Sequence, residues 1–196
     1  MQRIAVVLNV LGLVIMVFGA TMLLPLGVAL WYRDAAIYAY DESLAITLAC
    51  GGVVWLATRR HKGELQIRDG FLLVTLVWSV LPAFAALPLM FHMPQLSFTD
   101  AYFECMAGLT TTGSTVLSDI DKLPPSINFW RALLQWLGGM GIIVLVVAIL
   151  PLLGVGGRQI FKAETPGPMK DAKLTPRITE TAKGLWLVYA GITLAC

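Results

Sequence analysis

The chain is a succession of long apolar runs separated by short polar breaks. The first run covers residues 4–31, with Asn9 as its one strongly polar side chain. At about 28 residues it exceeds the roughly 20 needed to cross a bilayer core as a helix. It is also too long for a signal-peptide core and lacks a small-residue cleavage site, so it reads as a retained anchor. Pro25 predicts a kink near its far end. A linker with Asp34, Asp41 and Glu42 leads into a second span that begins near Ile37, covers residues 43–58 and is stopped by Arg59-Arg60-His61-Lys62. Trp31, Tyr32, Tyr38 and Tyr40 suit an interfacial aromatic belt. The third span is predicted over Gly70 to Met93, with Pro82 and Pro88 as bends, and the fourth from about Asn128–Arg131 to about Gly157. A fifth apolar run starts at Gly184 and stops at Cys196, about 13 residues on and short of a span. The chain therefore reads as the N-terminal portion of a longer polypeptide.

Between the third and fourth spans lies SFTDAYFECMAGLTTTGST, residues 97–115. Ser97-x-x-Asp100 matches a helix-start capping pair. From Ser97 to Thr110 is about 14 residues, or roughly 21 Å of helix, too short to cross. The segment is also too apolar for an ordinary loop. It predicts a short helix that dips into the membrane and an extended hydroxyl-rich strand that climbs back out. Non-helical backbone at that depth is tolerated only when buried in protein or lining water, which makes the strand a candidate pore lining.

Composition agrees with this pattern. The 196 residues are 58% hydrophobic and 13% charged, with mean hydropathy +0.78, the profile of an integral membrane protein. The two-residue alternation of an outer-membrane barrel is absent, so the fold class is all-α and polytopic. The net charge of +2 carries no nucleic-acid signal, because the basic residues fall in short loops. With the amino terminus inside, the outer face holds only Arg33, Lys122 and Arg131 of the 14 basic residues. The basic bias sets orientation, so the amino terminus is expected in the cytoplasm and the re-entrant segment opens outward. Cys50, Cys105 and Cys196 form no CxxC pair and no disulfide framework.

Catalysis finds little support. His61 and His92 fall at opposite faces, no serine or cysteine has an evident base, and Asp119-x-Asp121 in an outer loop reads as solvated rather than metal-binding. Cation selection fits better. Converging backbone carbonyls can replace an ion's hydration shell. A strand that turns its carbonyls to one axis needs a residue tolerant of unusual dihedrals, and Gly113 meets that need. Thr110, Thr111 and Thr112 would brace the strand through their hydroxyls. The preceding helix would aim the negative end of its dipole at the ion.

Ala107-Gly108-Leu109-Thr110-Thr111-Thr112-Gly113-Ser114, together with Phe129-Trp130-Arg131 and Gln135-Trp136-Leu137-Gly138-Gly139-Met140-Gly141, resembles the first pore repeat of the Trk/Ktr/HKT superfamily of potassium transporters, of the bacterial TrkH/TrkG type. The resemblance divides the chain into an N-terminal two-helix hairpin (1–66), a first pore repeat (67–157), a cytoplasmic loop (158–183) and the start of a second repeat (184–196). It implies potassium as the transported ion, with Thr111, Thr112 and Gly113 as filter contributors and Thr110 and Ser114 flanking. It further implies four repeats around one pore, a homodimer in the bacterial inner membrane and a cytoplasmic nucleotide-binding regulator of TrkA type. Glu104 reads either as an ion ligand or as a hydrogen-bonding support for the re-entrant segment. Arg131 reads as an anchor of the fourth span or a partner near the filter. Gly138, Gly139 and Gly141 read as a hinge or as close-packing positions. Two other readings stay open: a two-span subunit that assembles as a homotetrameric channel, and a membrane scaffold without transport.

Overall fold

A computed structural model describes residues 2–60, 67–149 and 174–195, and all its regular elements are helical. The expected tail of the fourth span beyond residue 149, the basic segment 158–173, His61 and Cys196 lie outside the described residues. The helices are α1 (Gln2–Thr21), α2 (Leu23–Tyr32), α3 (Ile37–Thr58), α4 (Ile67–Ala85), α5 (Leu87–His92), α6 (Phe98–Leu109), α7 (Pro125–Ile149) and α8 (Leu174–Ala195). A single 3-10 turn, Ile120–Lys122, lies between α6 and α7. Two compact units result, residues 1–135 and 136–196.

Among the described residues two stretches are long and apolar enough to cross a membrane, Ile4–Tyr32 and Arg68–His92. Only 33% and 22% of their most apolar windows are buried. A soluble core helix would hide those faces, whereas Val17, Leu24, Leu30, Phe71 and Leu72 turn theirs outward, where lipid can solvate them. Each stretch is broken by proline. Pro25 cannot donate to the carbonyl four residues back, and the chain separates into α1 and α2 at Met22, three residues ahead of the ring, where Met22 N–H donates to Gly19 O instead (2.9 Å). Pro82 is held inside α4, while Pro88 opens α5 just after the break at Ala86.

The bend expected from Pro25 is a full break of the first span at Met22. Two boundaries differ from the sequence expectation. The fourth span begins at Pro125 instead of Asn128–Arg131, because proline's fixed φ and missing N–H suit the first helical position. The helix that carries the fifth apolar run, α8, begins at Leu174, ahead of Gly184; Pro176 falls in its first turn, where no intrahelical donor is needed. Residues 174–183, expected as loop, are therefore helical.

In the first unit α1 and α3 cross almost backbone to backbone. A Cβ on Gly12 would stand 2.9 Å from Trp55 N, and one on Gly51 would stand 3.0 Å from Gly12 O. Asn9 ties the same pair near their cytoplasmic-predicted ends, donating to Thr58 Oγ1 (3.3 Å) and Trp55 O (3.4 Å). The N-terminus of α7 is seated on this hairpin. Asp34 Oδ2 accepts from Ser126 N–H (3.2 Å), and the fully buried Tyr40 hydroxyl donates to Ser126 O (3.0 Å). One turn further along, Trp130 is completely buried between Phe18 and Tyr40, with ring centroids 5.8 and 6.4 Å away. Its indole N–H donates to Ala85 O beside the α4–α5 break (3.1 Å). In the second unit α7 pairs with α8 through Trp136, Trp186 and Tyr189, and Trp136 Nε1 donates to Thr193 Oγ1 (3.0 Å).

Candidate functional site

The helix α6 starts where the capping pair predicts. Ser97 is extended (φ −68°, ψ 155°) and its Oγ accepts from Asp100 N–H at 3.1 Å. The Asp100 side chain does not reach back to the backbone; Oδ2 accepts the Ser97 hydroxyl instead, at 2.7 Å. Either way a free donor of the first turn is satisfied. One face of α6, with Ala101, Glu104, Cys105 and Gly108, is buried. Gly108 lets α7 approach closely, since a Cβ there would stand 3.2 Å from Leu134 Cβ.

The other end of α6 is the unusual one. Thr111 N–H donates to Gly108 O (2.9 Å), while Thr112 and Gly113 N–H both turn back to Ala107 O (2.9 and 3.2 Å). The first two bonds make a Schellman cap, which requires a left-handed residue just past the helix and is usually supplied by glycine. Here Thr111 takes that place at φ 58°, and Gly113 follows at φ 73°. A β-branched residue in this region is a strained exception. Thr110 helps to hold it: its hydroxyl donates to Met106 O (2.8 Å) and lies 2.9 Å from Thr112 Oγ1.

This cap has a consequence for the carbonyls. In a trans peptide the C=O points opposite to the N–H it is bonded to, and no peptide here is cis. With the N–H groups of Thr111, Thr112 and Gly113 aimed at the helix, the carbonyls of Thr110, Thr111 and Thr112 face away from it. Among the described residues none of these three accepts a hydrogen bond, and the segment 111–116 is exposed. Relief of the Thr111 strain gives a direct check. Thr111→Gly is expected to raise unfolding stability by about 1 kcal/mol, read as a higher melting temperature in detergent.

After the cap the chain reverses and runs back alongside α6, for Thr115 and Val116 come level with Glu104. The Glu104 side chain is buried and its two oxygens serve different elements. Oε2 accepts from Thr115 Oγ1 (2.9 Å) and Val116 N–H (3.0 Å). Oε1 accepts from Arg131 Nε of α7 (2.8 Å). Glu104, Ser114, Arg131 and Gln135 border a cavity of about 10 Å³, on the scale of a single water.

The structure thus brings Thr110, Thr111, Thr112, Gly113 and Ser114 into one turn, with Glu104 and Arg131 joined directly behind it. It does not bring in Asp119, which forms an exposed ion pair with Lys122 (3.2 Å). Gly138 is buried and Gly141 exposed, and α7 continues unbroken through both. Gly139 faces the Tyr189 ring end, 2.6 Å from where its Cβ would stand, in the second unit. Sequence reasoning missed the left-handed Thr111, since nothing in a threonine advertises it. It also missed Thr115 and Val116 as the partners of Glu104.

The TrkH family model, described as cation transport protein, matches residues 39–196. The chain is 54% identical over 189 residues to the Trk system potassium uptake protein TrkH of Salmonella typhimurium, covering 96% of this chain and 39% of that protein. It is 38% identical over 196 residues to the Trk system potassium uptake protein TrkG of Escherichia coli K12, covering all of this chain and 40% of that one. The crystal structure of the potassium transporter TrkH from Vibrio parahaemolyticus superposes with a TM-score of 0.82 at 46% identity, over 98% of this chain and 38% of that one. The chain therefore spans about two-fifths of the length of the curated relatives it matches.

Proposed function

Because this chain belongs to the TrkH family of cation transport proteins, we propose that it forms the first part of a potassium uptake system and supplies one of the strands of a carbonyl-lined filter. The carbonyls of Thr111 and Thr112 and the Gly113 backbone take over part of the ion's hydration shell, with Thr110 and Ser114 flanking. The observation that carries this reading is the cap on α6: it aims three successive N–H groups inward and leaves three successive carbonyls unpaired on an exposed segment. Such carbonyls are the ligands a dehydrated monovalent cation requires. The C-terminal end of α6, the negative end of its dipole, lies at the same turn. No mid-membrane charged side chain is needed as a ligand.

In this reading residues 1–66 are an N-terminal hairpin and 67–157 the first pore repeat, with 97–115 re-entrant from the outer face. Residues 158–183 hold the inner segment against which a cytoplasmic nucleotide-binding regulator of TrkA type docks, and the apolar run from residue 184, carried on α8, belongs to the second repeat. The full-length polypeptide sits in the inner membrane with its amino terminus inside, as the basic bias of the short loops supports, and pairs with a second copy. The full-length chain, produced in bacterial cells that lack their own potassium uptake, should restore growth at low potassium and take up potassium or rubidium in preference to sodium. Absence of both, with the protein present in the membrane, overturns the assignment.

A further inference from the structure

The Glu104–Arg131 pair is more than an ordinary intramembrane ion pair, because Glu104 has a second attachment. One carboxylate oxygen is held by α7 at Arg131, and the other holds the return segment at Thr115 and Val116. The side chains are 4% and 19% exposed, Glu104 and Arg131 respectively, so water competes little for either bond. Thr115 Oγ1 itself accepts Leu117 N–H (3.1 Å), which carries the attachment one residue further. The segment from Thr111 to Ser114 is thus fixed at both ends: by the strained cap at one and by Glu104 at the other. Between them the described residues provide little else to hold it.

We infer that Glu104 and Arg131 are positioning residues that set the ion preference of the filter by fixing its outer end, and that Glu104 is not an ion ligand. This rests on the reading of residues 110–114 as the ion path. The carboxylate's charge is already met by Arg131 and its second oxygen by two donors, so neither is free to replace an ion's water. Loss of either partner leaves the other charge buried and unpaired and releases the segment from α7.

The two roles differ in sign. A ligand or a simple field effect predicts opposite results: Glu104→Gln weakens potassium binding, whereas Arg131→Gln, by unmasking the carboxylate, tightens it. A positioning pair predicts the same result from both. The test uses the full-length chain in cells lacking other potassium uptake, with sodium competition measured per molecule of membrane-inserted protein. Both variants should lower the potassium-over-sodium preference in the same direction, by about fivefold or more, as expected for loss of a charge-assisted hydrogen bond. Opposite shifts in potassium affinity, or an unchanged preference, overturn the inference. Should either variant fail to accumulate, Thr115→Val decides, since it keeps both charges and removes only the two hydrogen bonds of the Thr115 hydroxyl, to Glu104 and from Leu117 N–H. It should lower the preference by about threefold, and an unchanged preference again overturns the inference. Wild-type protein in the same assay separates the two claims. If it shows no uptake, the transport reading fails; if it discriminates and the variants discriminate equally, only the positioning role fails.

Discussion

Replacement of Gly113 by alanine should abolish growth at low potassium and lower the potassium-over-sodium preference at least about tenfold, with little change in the amount of protein in the membrane. Crowding is not the cause. A Cβ at this position would have Gln135 Nε2 as its nearest neighbour, at 3.9 Å, which is ordinary contact. The cause is the backbone, which sits at φ 73°. An L side chain there costs roughly 1–2 kcal/mol, enough to change the population of a conformation by about five- to thirtyfold. The cost is compounded because Thr111, two residues earlier, already holds a left-handed conformation without glycine. The simplest relief is a rotation of the peptides around residue 113, and in the proposed filter such a rotation turns their carbonyls away from the ion path. The helices on either side are packed independently of this residue, so folding and insertion should proceed. Uptake of potassium against sodium in cells, normalised to membrane protein, is the measurement. An undiminished preference would show that the carbonyls at this turn do not contact the ion.

The contrast between Gly113 and Thr111 also shows what sequence can and cannot reveal. A lone glycine in a hydroxyl-rich run advertises a special dihedral, and the structure places it at positive φ. A threonine advertises the opposite, and its left-handed angle follows only from the cap that α6 needs when it ends short of a glycine. The start of α6 was legible because Ser97 and Asp100 act locally, within one turn. The extent of α3 was legible because a run of charges stops it. The starts of α7 and α8 were not, because helix begins before apolarity does: Pro125 and Leu174 are helical ahead of the membrane-facing residues that give the spans away.

Contacts distant in sequence were the least legible. Glu104 and Arg131 each stood out as a charge in apolar surroundings, which marks a residue in need of a partner. That they answer each other across 27 positions depends on how α6 crosses α7 at Gly108. The close backbone approach of α1 and α3 at Gly12 and Gly51 left no periodic mark, whereas the conspicuous Gly138-Gly139-Met140-Gly141 run drew attention to another place. Asp34, which reads as one of several outer acids, is bonded to the N-terminus of α7 92 residues later.

That last contact bears on the second large effect, which is expected at Trp130. This residue is completely buried, touches an aromatic ring from α1 and another from α3, and donates its indole N–H beside the α4–α5 break. It is the position at which hairpin, third span and fourth span meet. Lipid supplies no hydrophobic drive between helices, so the loss on truncation comes from packing and from the orphaned Ala85 carbonyl rather than from transfer to water. Trp130→Ala should therefore cost about 3 kcal/mol, at the low end of large-to-small core substitutions, with about 1 kcal/mol of that from the hydrogen bond. Trp130→Phe, which keeps most of the ring contacts and loses only the donor, should cost about 1–2 kcal/mol. Thermal unfolding in detergent reads both. The order of the two matters more than their size: a phenylalanine variant as damaged as the alanine variant would mean that the indole N–H, and not the filled space, seats the fourth span. Arg131 is the next residue on the same helix, so an α7 loosened at Trp130 also shifts the guanidinium away from Glu104. The alanine variant should then lose ion preference at temperatures well below its melting point, and the phenylalanine variant should retain more of it. If the alanine variant unfolds at the wild-type temperature, the three elements do not depend on this side chain for their meeting.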